Sequence, residues 1–242
     1  MKLAGVVSIG SYTAEDLARK QQSLKAVLHP DTQLDMFAAA SGVPYIESSY
    51  EFYLSEAAVA RKVVEVAGMG YDAVVGTAFL DNGLDAAREL VEIPVVGPAK
   101  TTLYLAATLS NRFAVISAAG DLPKHVRAMA KLLGVADRLV ATPALKCTVA
   151  DLLHDEDNAV AMIIALGRQL IDVQGAEALI LGCGATTGLA SRVSEVLELP
   201  VLDPGLTAVK YAEMLVALGL SHSKRAYPYN PRVMQLLQSN AE

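Results

Sequence analysis

The chain repeats itself, and that repeat constrains its fold more than any other feature. "DAVVGTAFLDNGLDAARELVEIPVVGP" (72–98) and "EALILGCGATTGLASRVSEVLELPVLDP" (177–204) follow one plan. Each runs from an apolar strand through a loop of small residues to Gly-Leu. A helical pattern, an apolar-Pro-Val strand and a second proline then follow. Gly83-Leu84 corresponds to Gly188-Leu189, and Pro94 and Pro98 correspond to Pro200 and Pro204, with one residue inserted between the anchors. Such a repeat predicts two similar α/β halves. Further apolar runs at 3–9, 33–39 and 112–118 read as strands. In 55–70, Ala58, Val59, Val63, Val66 and Ala67 share one helical face, with Gly68 and Gly70 as stops; 159–175 repeats the scheme. Strands alternating with helices predict parallel sheets buried on both faces.

Composition narrows the function classes. The 242 residues are 53% apolar, which supports a sizeable core, and only 19% charged with a net charge of −6. That balance excludes a surface built to neutralise nucleic-acid phosphates. Two cysteines do not make a disulfide framework, so a reducing, cytoplasmic compartment is expected. The opening "MKLAGVVSIGS" is short and reads as a first strand rather than a leader, and no apolar run is long enough for a membrane helix.

Both copies of the small-residue loop fall at carboxyl ends of strands, where open α/β sheets bind ligands. The second copy carries Cys183, followed by Gly184, Thr186, Thr187 and Gly188. A thiol ahead of a helix N-terminus is expected to have a depressed pKa. Its small neighbours leave N–H and hydroxyl groups free to face a carboxylate or enolate. The residue opposite Cys183 is Ala78 when the copies are aligned on Gly-Leu, and Thr77 when they are aligned on Gly76 and Gly182. Two thiols on opposite faces of a carbon next to a carbonyl would make a racemase without a cofactor or metal. One takes the proton, the other returns one, and the loops hold the enolate. Phe79 beside Ala78, Ser117, Ser8 and Ser11 at other strand ends are further substrate-contact candidates.

Other motifs have plainer readings. Cys147 reads as a small buried hydrophobe, and Thr13 before "AEDLA" as a helix cap. "HDEDN" (154–158) reads as a solvated helix start, because no second His/Cys cluster completes a metal site. His29 reads as a turn residue, His125 as part of an exposed helix face, and His222 as a minor site candidate in the tail. "GCGATTG" with Asp203 about 20 residues on keeps a nucleotide-binding alternative open, and a two-lobed, non-catalytic small-molecule binder is another.

The two loop segments, with "IESSYE" (46–51) and "AVKYAEMLVALGLSHSKRAYP" (208–228), resemble the hydantoin racemases of the aspartate/glutamate racemase superfamily. In that family the first strand of the site ends in Ala-Cys-Phe before an Asp-Pro-Gly-Leu-Asp-Ala-Ala-Arg-Glu run, and "DNGLDAARE" (81–89) keeps nearly all of the latter. The resemblance implies two pseudo-symmetric, Rossmann-like halves with the active site in the cleft between them. It implies one half from 1–98 plus a returning 208–242, and another from 99–207. It also implies a homo-oligomer and a small substrate with a carbonyl or carboxylate. The family's second cysteine falls on Cys183 as acid/base, and the first falls on Ala78, which carries no proton. The family's Asn-Pro-Asn-Thr is replaced by "SIGSYT" (8–13). Ala78 is compatible with an engineered loss of one thiol, with natural one-thiol chemistry as in arylmalonate decarboxylases or a cis-trans isomerase, and with loss of catalysis.

Overall fold

The repeat in sequence is a repeat in fold. The computed structural model describes residues 1–118 and 122–233. Among them eight strands build two parallel sheets of the same order. The first is β2-β1-β3-β4, from β1 (Lys2–Val7), β2 (Gln33–Ala38), β3 (Ala73–Gly76) and β4 (Val95–Val96). The second is β6-β5-β7-β8, from β5 (Phe113–Ser117), β6 (Leu139–Ala141), β7 (Ala178–Gly182) and β8 (Val201–Leu202). The central strands β3, β5 and β7 are buried along their whole length, as sheets covered on both faces require.

The paired prolines have structural reasons. Pro94 and Pro200 stand just before the short edge strands, where no ladder N–H is needed. Their carbonyls accept from Val74 N–H (2.9 Å) and Leu179 N–H (3.0 Å). Pro98 and Pro204 open α4 (Pro98–Leu109) and α9 (Pro204–Ala217), where a missing N–H costs nothing. The strand expected at 93–97 therefore shrinks to two residues between Pro94 and the start of α4.

These two helices exchange partners. α4 follows the first sheet but buries Ala99, Leu103 and Ala106 with Phe113, Val115, Ala178 and Ile180 of the second. α9 follows the second sheet but buries Ala208, Val209 and Ala212 with Leu3, Ala73, Val75 and Val96 of the first. α4 and α9 also touch each other, so apolar burial couples the halves.

The remaining helices are α1 (Ala14–Lys25), α2 (Ser49–Ala67), α3 (Leu84–Leu90), α5 (Leu122–Leu132), α6 (Val149–His154), α7 (Glu156–Gln174) and α8 (Ala190–Leu197). Thr13 caps α1 through a reciprocal box with Asp16. α2 starts six residues before the expected pattern because Ser48 and Glu51 form a second box. Val59, Val63 and Val66 are its buried stripe, and Gly68 ends it. α7 stops at Gly175, in the left-handed conformation (φ 66°). Gly83 has φ 75°, and a Cβ there would collide with the Glu56 carbonyl, so α3 enters over α2 only with glycine. Among the described residues, no helix is long and apolar enough to cross a membrane.

Candidate functional site

A pocket of about 660 Å³, counting its open mouth, lies at the carboxyl ends of β1, β3 and β7. Both halves line it. Ser8, Thr77, Ala78, Phe79 and Asn82 come from the first, and Leu122, Val149, Cys183 and Gly184 from the second. Its wall is mainly apolar, with Ile9, Ile46, Phe52 and Leu80.

The two repeated loops meet here. A Cβ added to Gly184 would sit 2.9 Å from the Thr77 carbonyl oxygen, so only a glycine allows the backbones to approach this closely. At Gly182, an added Cβ would lie 3.2 Å from the Phe79 ring. Phe79 reaches from the first loop into the apolar cluster of the second sheet. Cys183 directly follows β7, Thr77 directly follows β3 with Ala78 next to it, and all three line the same pocket.

The local chemistry of Cys183 differs from the expectation. Burial pushes its thiol up, against an N–H bond from Ala185 and the nearby Lys20 ammonium, which both favour the thiolate. The helix dipole is not at hand, because only a single 3-10 turn (Gly184–Thr186) follows Cys183 and α8 begins at Ala190. A dipole effect fades within one turn of a helix end.

The candidate residues separate into two groups. Ser8, Thr77, Ala78, Phe79, Cys183 and Gly184 share the pocket. Thr186 and Thr187 do not line it. Their hydroxyls turn back within the loop, donating to the carbonyls of Cys183 (2.8 Å) and Gly184 (2.9 Å). Short hydroxyl side chains readily satisfy a nearby backbone acceptor in this way. Ser11 donates to the Pro44 carbonyl (2.8 Å) and, with Thr187, borders an adjoining polar pocket instead. Ser117 is fully buried under the second sheet's end and does not reach the site.

Sequence reasoning passed over four polar residues of the pocket. Tyr12 and Tyr45 come from the loops after β1 and β2, and burial pushes the Tyr12 hydroxyl up to about 12. Asn82 is 2% exposed and lies in a hydrogen-bonded chain. Its carbonyl accepts from Ser8 Oγ (3.4 Å) and its amide donates to Ser55 Oγ (2.6 Å). Lys20 is 7% exposed although it belongs to a surface helix. The readable signal for it is position: Leu17, Lys20 and Leu24 share one stripe of α1.

The other motifs fall elsewhere. Asp203 caps α9 and accepts from Gly188 N–H (2.6 Å) and Leu206 N–H (3.1 Å), so this loop's carboxylate is occupied internally rather than waiting for a ribose. His222 bonds the Val95 backbone behind the first sheet, and burial lowers its pKa to about 4. His125 is no free face: it bonds Ser49 Oγ (3.0 Å) and stacks on Phe52. Cys147 is partly buried against the second sheet's core. Among the described residues, no group of three or more His, Cys, Asp or Glu is placed to hold a metal.

The chain is similar to known proteins in sequence and in fold. Residues 7–212 match the model of the Asp/Glu/hydantoin racemase family. The hydantoin racemase of Pseudomonas sp. (strain NS671) is 31% identical over 210 residues, covering 86% of this chain and 84% of that one. An allantoin racemase from Klebsiella pneumoniae superposes with a TM-score of 0.89 at 26% identity, over 95% of this chain and 94% of that one. An arylmalonate decarboxylase shares the fold at TM-score 0.64 and 18% identity, over 90% and 94% of the two chains. With its duplicated sheets, its paired loops and these relatives, the chain belongs to the Asp/Glu/hydantoin racemase family.

Proposed function

We propose that this chain moves a proton at a carbon next to a carbonyl, in a hydantoin-type ring or a related amino-acid derivative, with Cys183 as its acid/base. The observation that supports the reading is that Cys183 and Ala78, from the two repeated loops, line one pocket. The thiolate takes the ring proton, leaving an enolate whose charge the Tyr12 and Tyr45 hydroxyls of the pocket are suited to stabilise. Cys183 then returns a solvent-derived proton to the same face. Inversion needs a donor on the opposite face, and alanine at 78 supplies none. The hydantoin and allantoin racemase relatives support the ring substrate.

The alanine favours a second reading, decarboxylation with the same thiol. Loss of CO2 generates the enolate without any base, and one thiol then suffices to protonate it. The apolar wall around Ala78 suits an aryl or alkyl substituent.

Incubation of single hydantoin enantiomers in D2O at neutral pH separates these readings. Proton abstraction by Cys183 predicts deuterium at the ring carbon above the uncatalysed rate, and loss of that exchange in Cys183→Ser. Equal exchange by Cys183→Ser removes the thiol from the mechanism. No exchange, but CO2 release from a substituted malonate, selects the second reading.

A further inference from the structure

Lys20 is the least expected member of the site. A lysine ammonium is seldom buried without a strong reason. Here Nζ crosses from α1 in the first half to the Cys183 loop in the second. It donates to the Gly184 carbonyl (2.9 Å) and Thr187 Oγ1 (3.4 Å), and the residue lines the pocket. Thr187 Oγ1 itself donates to the same Gly184 carbonyl, so one small network fixes the loop one residue beyond the thiol.

We propose that Lys20 is a positioning residue for Cys183, tying the thiol-bearing loop to the first half and holding a positive charge beside the sulfur. The proposal rests on the reading of Cys183 as the reacting thiol. Charged and titratable groups approach from several elements. Asp203, at the start of α9, faces Lys20 and favours its charged form, as Cys183 itself does. Burial, the strongest influence, opposes that charge and leaves the ammonium below the usual lysine range. Around Cys183, Lys20 is the cation, whereas Glu47 and Cys147 oppose the thiolate. Tyr12 also interacts with the Cys183 charge. With burial already pushing the thiol up, Lys20 counts among the few forces toward a reactive thiolate.

The test is a thiolate titration followed by ultraviolet absorbance and by alkylation rate, in a Cys147→Ser background so that one sulfur reports. Removing the charge with Lys20→Met is expected to raise the apparent pKa of Cys183 by about one unit, a tenfold loss of thiolate at fixed pH. Lys20→Arg restores most of it. A purely structural role would change stability without moving the titration. An unchanged titration in a folded Lys20→Met protein overturns the proposal. If that variant does not fold, 15N-lysine spectra of the unsubstituted chain decide. One lysine Nζ signal, assigned through Lys20→Arg, shifts in step with thiolate formation, and the step vanishes in Cys183→Ser. Absence of such a step also overturns the proposal. Neither readout needs substrate, so failure of the hydantoin reading and failure of this one are separable.

Discussion

Replacing Gly184 with alanine tests whether the two loops are truly in contact. The added Cβ would stand 2.9 Å from the Thr77 carbonyl oxygen and 3.5 Å from Lys20 Nζ. Ordinary contact begins near 3.4 Å, so something must move by about half an ångström. Thr77 is poorly free to do so: its N–H donates to the Val6 carbonyl (3.0 Å), and its hydroxyl approaches the same acceptor (3.4 Å). The shift therefore falls on the Cys183 loop and its Lys20 anchor. Overpacking of this kind costs about 1–3 kcal/mol, and displacement of the reacting thiol should slow turnover by roughly 10- to 100-fold. Gly188→Ala is the matched control. Gly188 has φ 94° with no neighbour within 4 Å, so alanine there adds backbone strain of about 1–2 kcal/mol without pressing on the first loop. Urea unfolding and the hydantoin exchange rate are measured on both. Gly184→Ala should lose activity beyond its loss of stability, and Gly188→Ala should lose mainly stability. If Gly184→Ala keeps exchange within twofold of the parent chain, the loops are not pressed together as described.

Two further substitutions probe the shell of the site. Burial raises Asp81 to about 6 from 3.8, against opposing N–H bonds from Lys100 (3.0 Å) and Ala99 (2.8 Å) at the start of α4. The folded state therefore holds this proton more tightly than the unfolded state. Its stabilising contribution is full below the unfolded value and is lost as pH rises through about 6. Relative to the parent chain, Asp81→Asn should gain roughly 2–3 kcal/mol between pH 4 and 7 in denaturant titrations, and a flat difference contradicts the assignment. Asn82→Leu removes the partner of both Ser8 and Ser55, and should cost about 1–3 kcal/mol in urea unfolding. A stability unchanged by that substitution would show that the buried chain of hydroxyls and amide contributes little.

The duplicated architecture was legible because both signals that define it are local. Gly-Leu and the paired prolines mark helix starts and edge strands whatever the tertiary context. β6 was not legible, since Leu139–Ala141 is only three residues long and has no alternation to read. Ala78 and Cys183 were legible as pocket-lining positions after β3 and β7. The polarity around them was not, for reasons of competition. Thr186 and Thr187 found backbone acceptors inside their own loop, and Asp203 claimed the Gly188 N–H. The thiol's expected downward shift depended on a helix beginning beside it; α8 begins seven residues later, and burial prevails. Lys20 escaped notice because a lysine on a short amphipathic helix is ordinarily solvated. Its partners lie more than 160 residues away in sequence, where no local pattern points.

The most direct measurement is deuterium incorporation and optical rotation, followed together for the parent chain and Ala78→Cys on one hydantoin enantiomer in D2O. One thiol predicts that the parent chain incorporates deuterium while rotation is retained, and that Ala78→Cys couples incorporation to loss of rotation. If the parent chain racemises as fast as it exchanges, a donor other than residue 78 serves the opposite face. If neither protein exchanges, proton abstraction by Cys183 from a hydantoin is contradicted.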